Sequence, residues 1–261
     1  MKFAYFPGCT LKNKAKDLDT YARKCAEKLG VELCELEFQC CGGVYGTGTN
    51  DVATKLSSVR ALKASTQLGL VTVCSACHNV IKQTNEEIKA NPAFAAKINR
   101  YMSQDKDYSG EYNGETEVIH FLELLRDKVG FDKIKEAVVN PLKDKKIGAY
   151  YGCLLLRPSK VMAFDDPENP TIIEEFIKAL GATPIVYAKR NECCGGYVVL
   201  EDKEAAKKNS LGVINNAKAQ GADMIVTACP LCRYNLQKSG GELPVVYITE
   251  LLAEALGVKE E

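Results

Sequence analysis

The stretch Cys40-Cys41-Gly42-Gly43 returns as Cys193-Cys194-Gly195-Gly196, and each copy lies inside the same larger pattern. A lone cysteine precedes it, behind a short apolar run and a glycine: Cys9 in the first half, Cys153 in the second. A CxxC follows it, behind another apolar run: Cys74 and Cys77, then Cys229 and Cys232. The intervening stretches are 30, 32 and 2 residues in the first half and 39, 34 and 2 in the second. Ten of the twelve cysteines thus fall into two sets of five, the mark of a tandem duplication built to hold metal.

Each half reads as strand, helix, strand, Cys-Cys-Gly turn, helix, strand, CxxC and helix. In the first half a strand covers 2–6, and Pro7-Gly8 turns the chain so that Cys9 is expected on a loop. A helix over 17–30 carries Leu18, Tyr21, Ala22, Cys25 and Leu29 on one face, and a strand follows over 31–37. Asn50 or Asp51 caps a helix running to 68, a strand covers 70–73, and the CxxC helix runs towards 89. In the second half, strands are expected over 147–151 and 183–188, and a helix over 171–180. This alternation predicts an α/β chain of two tandem, pseudo-symmetric α/β domains, 1–142 and 143–261, each with a mainly parallel sheet and a five-cysteine site.

The copies differ by insertions. His120 matches Tyr247, yet Cys77 to His120 is 43 positions and Cys232 to Tyr247 is 15, so the first copy carries 28 extra residues. They are assigned to a longer CxxC helix and a polar loop over 103–115. The second copy has an Asp- and Pro-rich insertion over 154–170, expected to face a partner or cover a pocket.

In parallel α/β sheets ligands collect at the carboxyl ends of strands, so the three cysteine groups of each half can converge there. A CxxC that opens a helix sets its thiolates near unpaired amides and the positive end of the dipole, and Pro230 suits a first helical position. A structural zinc takes four ligands, as does a cubane iron–sulfur cluster. Five thiolates with two adjacent serve different irons of a larger or irregular cluster, which puts iron–sulfur ahead of zinc or a thiol redox pair. Cys25, on a helix face, and Cys34, in a strand, are expected in the core.

Apolar residues make up 46% and charged residues 26% of the 261, as in a soluble globular protein. The 34 basic and 34 acidic residues balance, which gives no support for nucleic-acid binding. No apolar run approaches a membrane span, and no export signal is visible, so a cytoplasmic protein with reduced cysteines is expected.

The chain resembles the B subunit of heterodisulfide reductase, with its paired cysteine-rich CCG domains. The resemblance spans essentially the whole chain. Beyond the cysteines it includes Cys74-Ser75-Ala76-Cys77-His78-Asn79, the run Tyr151-Gly152-Cys153-Leu154-Leu155-Leu156-Arg157-Pro158, and Phe164-Asp165-Asp166-Pro167-Glu168-Asn169-Pro170. It implies a noncubane [4Fe-4S] cluster on each set: Cys9, Cys40, Cys41, Cys74 and Cys77, then Cys153, Cys193, Cys194, Cys229 and Cys232. The implied reaction is cleavage of the disulfide between coenzyme M and coenzyme B, as in methanogenesis, one electron coming from each cluster. Electrons would arrive from the ferredoxin-like C subunit and the flavin-bearing A subunit of such a complex. Arg157, Lys160 and Arg233, beside cluster cysteines, are candidates for the substrate's anionic ends, and His78 for the proton donor. His78 also reads as a helix-cap residue and His120 as structural. The alternative is an electron-transfer subunit of a lactate- or glycolate-type oxidase, without sulfur chemistry.

Overall fold

The computed structural model describes residues 1–46, 51–106 and 108–259. Among the described residues, eight short strands form two sheets. β1 (Lys2–Phe6), β2 (Glu32–Glu35), β3 (Leu70–Thr72) and β4 (Val118–His120) make the first, in the order β2-β1-β3-β4. β5 (Lys146–Tyr150), β6 (Thr183–Ile185), β7 (Met224–Thr227) and β8 (Val245–Tyr247) make the second, in the order β6-β5-β7-β8. Every pairing is parallel, and the registers correspond: Phe6 pairs with Thr72 as Tyr150 pairs with Thr227, and Thr72 with His120 as Thr227 with Tyr247. Parallel strands need long crossovers, which the helices supply. Pro184 is tolerated in β6 because that strand lies at the sheet edge.

From β1 the chain crosses to one side to form β2, then to the other to form β3. The carboxyl ends of β1 and β3 therefore flank a switch in strand order, where α/β folds open a crevice. β5 and β7 flank the matching point in the second sheet.

One apolar core joins the halves. The helix Lys16–Lys28 buries Leu18, Ala22, Cys25 and Ala26 on one stripe. Against it lies the helix Ile248–Leu256, which buries Ile248, Leu251, Leu252 and Ala255 among others. Thr249 donates to the Leu18 carbonyl at 3.0 Å, and the Lys28 ammonium to the Leu256 carbonyl at 2.5 Å.

Several local expectations change. Cys9 lies in a short helix, Gly8–Asn13, rather than on a loop. The 28 extra residues include a helix, Pro92–Met102, whose Asn91 side chain accepts from the Phe94 amide at 3.1 Å. Tyr112, within the expected polar loop, is fully buried and bonds the Asn85 side chain at 2.5 Å. Asp51 accepts from the Thr54 amide at 3.3 Å, whereas Asn50 lies outside the described residues. Cys25 is buried as expected, but Cys34 is half-exposed because β2 is an edge strand. In the second insertion, Asp165 accepts from the Thr171 and Ile172 amides at 2.7 and 2.8 Å, capping the helix Ile172–Ala179. No helix among the described residues is long and apolar enough to cross a membrane.

Candidate metal centre

In each half the three cysteine groups follow three strands. Cys9 follows β1, Cys40 and Cys41 follow β2, and Cys74 and Cys77 follow β3, with Cys77 in the helix Ser75–Ala90. Cys153, the Cys193–Cys194 pair, and Cys229 with Cys232 repeat this after β5, β6 and β7. The sulfurs come together in pairs. Cys9 and Cys40 are 3.9 Å apart, Cys41 and Cys77 3.2 Å, and Cys194 and Cys232 3.6 Å. Among the described residues no group of three His, Cys, Asp or Glu side chains is arranged around a single metal ion.

Neighbouring thiols shift one another unequally. The close contact with the Cys77 thiol, 3.2 Å away, draws Cys41 down to about 7 against the effect of burial. Cys153 and Cys193 shift each other in opposite directions, Cys193 down and Cys153 up. The neighbouring thiols of Cys229, across the seam between the halves, and then Cys77 hold Cys74 well below the ordinary thiol range. Soft sulfur donors gathered beyond strand ends are what iron–sulfur ligation uses, so this donor set fits such a group.

Two glycines make room for the sulfurs. A Cβ on Gly8 would stand 2.9 Å from the Cys77 sulfur, and one on Gly152 would stand 3.2 Å from the Cys232 sulfur. Both also have positive φ, +78° and +64°, where glycine alone is unstrained. A cleft of about 200 Å³ lined by Phe6, Pro7, Phe38 and Gln39 opens onto Cys9 and Cys40, both exposed.

The two sets meet. The Ser75 amide and hydroxyl donate to the Ala228 carbonyl at 3.1 and 2.8 Å, so one CxxC turn rests on the other. Tyr197, directly after the second Cys-Cys-Gly-Gly turn, donates its phenolic proton to the Gly43 carbonyl of the first. Tyr197 escaped the sequence reading, although the first copy has Val44 at its place, a difference visible in the chain.

The remaining candidates are scattered around this seam. His78 is wholly buried, with Nδ1 2.9 Å from the Thr72 hydroxyl and Nε2 3.5 Å from the Glu123 carboxylate without a hydrogen bond. Burial holds its pKa well below the ordinary histidine range, with His120 and Lys82 adding to the effect. Arg233 occupies the matching place after Cys232 and pairs with Glu250 at 2.7 Å. Glu123 and Glu250 are themselves equivalent: they accept from the amides of His120 and Tyr247 at 2.7 and 2.6 Å. Arg157 is exposed and bound to Glu168 at 2.7 Å, and Lys160 is exposed on the short helix Ser159–Met162.

A family model described as a cysteine-rich domain matches this chain twice, over residues 3–82 and 147–237. The chain is 32% identical to the 8-methylmenaquinol:fumarate reductase membrane anchor subunit of Wolinella succinogenes, over 98% of its own length and 93% of that protein. It is 31% identical to the B subunit of the ferredoxin/F(420)H(2)-dependent CoB-CoM heterodisulfide reductase of Methanosarcina acetivorans, over 98% of its own length and 89% of that protein. Among solved structures, a hypothetical protein from Helicobacter pylori matches 99% of this chain with a TM-score of 0.75. At 14% identity that likeness concerns the fold alone, and this chain spans about half (49%) of that protein.

Proposed function

Because this chain belongs to the family of tandem CCG-domain proteins that includes the B subunit of heterodisulfide reductase, we propose that it is the catalytic subunit of such a reductase. Its reaction would cleave a disulfide, such as that of coenzyme M with coenzyme B, into two thiols. The observation that carries this reading is the meeting of two like cysteine sets, joined by the Ser75 amide and hydroxyl on the Ala228 carbonyl and by Tyr197 on Gly43. Reduction of a disulfide takes two electrons, and two equivalent one-electron sites beside one seam match that count.

Noncubane [4Fe-4S] clusters held by the ten cysteines, five in 1–142 and five in 143–261, would supply those electrons one at a time. The chain's own residues would do the rest. Exposed Cys9, Cys40 and Cys193 leave one side of each set open to a substrate. Gly8 and Gly152 let the backbone approach the sulfurs. Arg157 and Lys160 would meet anionic ends of the substrate, Arg157 by leaving Glu168. Arg233, already paired with Glu250, would hold the Cys232 turn in place, and His78, without an exposed atom, would do the same for Cys77. Both then act on the cysteines rather than on a diffusing molecule. In the cytoplasm, a ferredoxin-like C subunit and a flavin-bearing A subunit would deliver the electrons.

A second reading is favoured by the relative from Wolinella succinogenes, whose name is that of a quinol-linked fumarate reductase component. On that reading the same two sets relay electrons within a complex and cleave no disulfide. Both readings need iron. Anaerobically purified chain should carry about eight irons and eight sulfides, as two four-iron clusters require. Stoichiometric zinc without iron would overturn both.

A further inference from the structure

The two sheets hold their outer cysteines differently. β1 and β2 stay paired as far as Tyr5 and Glu35, and four residues then lead to Cys40. β5 and β6 part at Gly148 and Ile185, short of the matching place, and seven residues separate Ile185 from Cys193. The longer, unpaired path gives Cys193 more freedom relative to Cys153 unless something else ties the two strand ends.

Arg190, three residues before Cys193, supplies the tie. Its carbonyl accepts at 2.8 Å from the amide of Tyr151, which lies two residues before Cys153. Arg190 is 7% exposed, and its guanidinium donates to the Asn169 side chain at 2.5 Å and the Tyr187 carbonyl at 3.3 Å. Its Nε lies 3.1 Å from Oε1 of buried Glu174, and neither atom has a hydrogen bond elsewhere among the described residues. The other Glu174 oxygen accepts the phenolic proton of Tyr151, whose oxygen accepts in turn from the Ile173 amide at 2.9 Å. The first half has Pro7 and Glu37 at the places of Tyr151 and Arg190. Its own strand ends are tied nearer the surface, where Lys12 and Arg23 meet Glu35 at 2.5 and 2.7 Å.

We propose that Arg190 is a positioning residue that fixes the Cys153 sulfur against the Cys193 sulfur. It acts on Tyr151 twice, through its own carbonyl and through Glu174, which holds the Tyr151 ring. A planar guanidinium suits this task, because its fork reaches Glu174, Asn169 and the Tyr187 carbonyl at once. Buried ion pairs add little net stability over apolar packing of like volume, so what the pair contributes here is geometry. In the chain loaded with iron, Arg190 sets the gap that iron spans on the open side of the second set. That consequence rests on the reading of the ten cysteines as cluster ligands, whereas the placement of the two sulfurs does not.

The test uses the full chain, first without metal. The short thiol cross-linker dibromobimane is added to reduced chain, and peptide mapping follows the Cys153–Cys193 link. The Cys9–Cys40 link, between sulfurs 3.9 Å apart, is the control within the same molecule. Arg190→Met alone leaves Glu174 buried without its partner, so it is combined with Glu174→Leu to keep the fold. The paired variant should unfold near the wild-type midpoint, form the Cys153–Cys193 link about tenfold more slowly, and form the control link at the wild-type rate. Arg190→Lys keeps the charge without the fork and should fall between; it carries the same comparison if the paired variant does not fold. An unchanged Cys153–Cys193 rate, or equal slowing of both links, overturns the positioning role. With iron loaded, the paired variant should lose about half of its iron to a chelator about tenfold faster than wild type, and the rest at the wild-type rate. A slowed cross-link in a chain whose wild type binds no iron keeps the positioning role and removes the cluster reading. A slowed cross-link with wild-type iron release keeps the placement of the sulfurs and removes its consequence for iron.

Discussion

The Tyr247 hydroxyl donates to the Val73 carbonyl across 2.5 Å, and the Ala228 carbonyl lies 2.9 Å from the same oxygen. Those carbonyls belong to the residues just before Cys74 and Cys229, so one buried phenol sits between the two CxxC turns. Tyr247→Phe keeps the ring and removes the bond. The expected cost is about 1–3 kcal/mol, the range for depriving a buried polar group of its partner. Denaturant unfolding measures it. In iron-loaded chain the visible absorption from both cysteine sets should change together, and a change confined to one set would contradict the coupling.

Gly8 and Gly152 offer a graded test of the sulfur packing. An alanine at either position costs about 1–2 kcal/mol for left-handed backbone, but the added carbon approaches sulfur more closely at Gly8, 2.9 Å against 3.2 Å. Gly8→Ala should therefore lower iron content towards about half of wild type, and Gly152→Ala should lower it less. Iron and sulfide analysis on variants of native circular dichroism decides this, with full occupancy in Gly8→Ala as the contrary result.

His120 makes stability fall in mild acid. It is fully buried, burial lowers its pKa to about 3, and its Nδ1 accepts from the Leu122 amide at 3.2 Å. Between the unfolded value near 6.5 and about 3, the unfolded chain holds a proton that the native chain lacks. Stability should thus decline as pH falls through that window, by about 1.4 kcal/mol per pH unit for each such histidine. Glu123, pushed up by burial, works in the opposite direction near its own titration, and Lys82 is the nearby fixed charge. His120→Asn keeps an acceptor for the Leu122 amide and should flatten the pH dependence of the unfolding midpoint. An unchanged slope would sink this assignment.

Much of the fold was legible because the duplication prints each feature twice. The parallel alternation and the cysteines beyond strand ends follow from apolar runs that recur in step with the cysteines. The helix Pro92–Met102 was hidden by polar neighbours, although Asn91-Pro92 is a cap followed by proline at the first position, and Phe94, Ala95, Ile98 and Met102 share a face. β4 and β8 are three residues each and run straight into helices, too short for periodicity to separate. The exposure of Cys34 depends on β2 lying at an edge, a fact of tertiary order that no local pattern carries. At the site, the carboxylates three residues after His120 and Tyr247 were present in both copies. Their grip on the His78 and Arg233 positions needed the fold to bring residues over 40 and 15 positions together.

Disulfide cleavage itself is tested most directly by counting thiols. Chemically reduced, iron-loaded chain, freed of excess reductant, is mixed anaerobically with the coenzyme M–coenzyme B disulfide, and released thiols are titrated against electrons consumed. Two thiols for every two electrons, with the iron held by both cysteine sets reoxidised, is the expected result. Reduced chain that keeps its electrons in the presence of the disulfide, yet yields them to a quinone or another carrier, would contradict disulfide reduction and leave electron relay in its place.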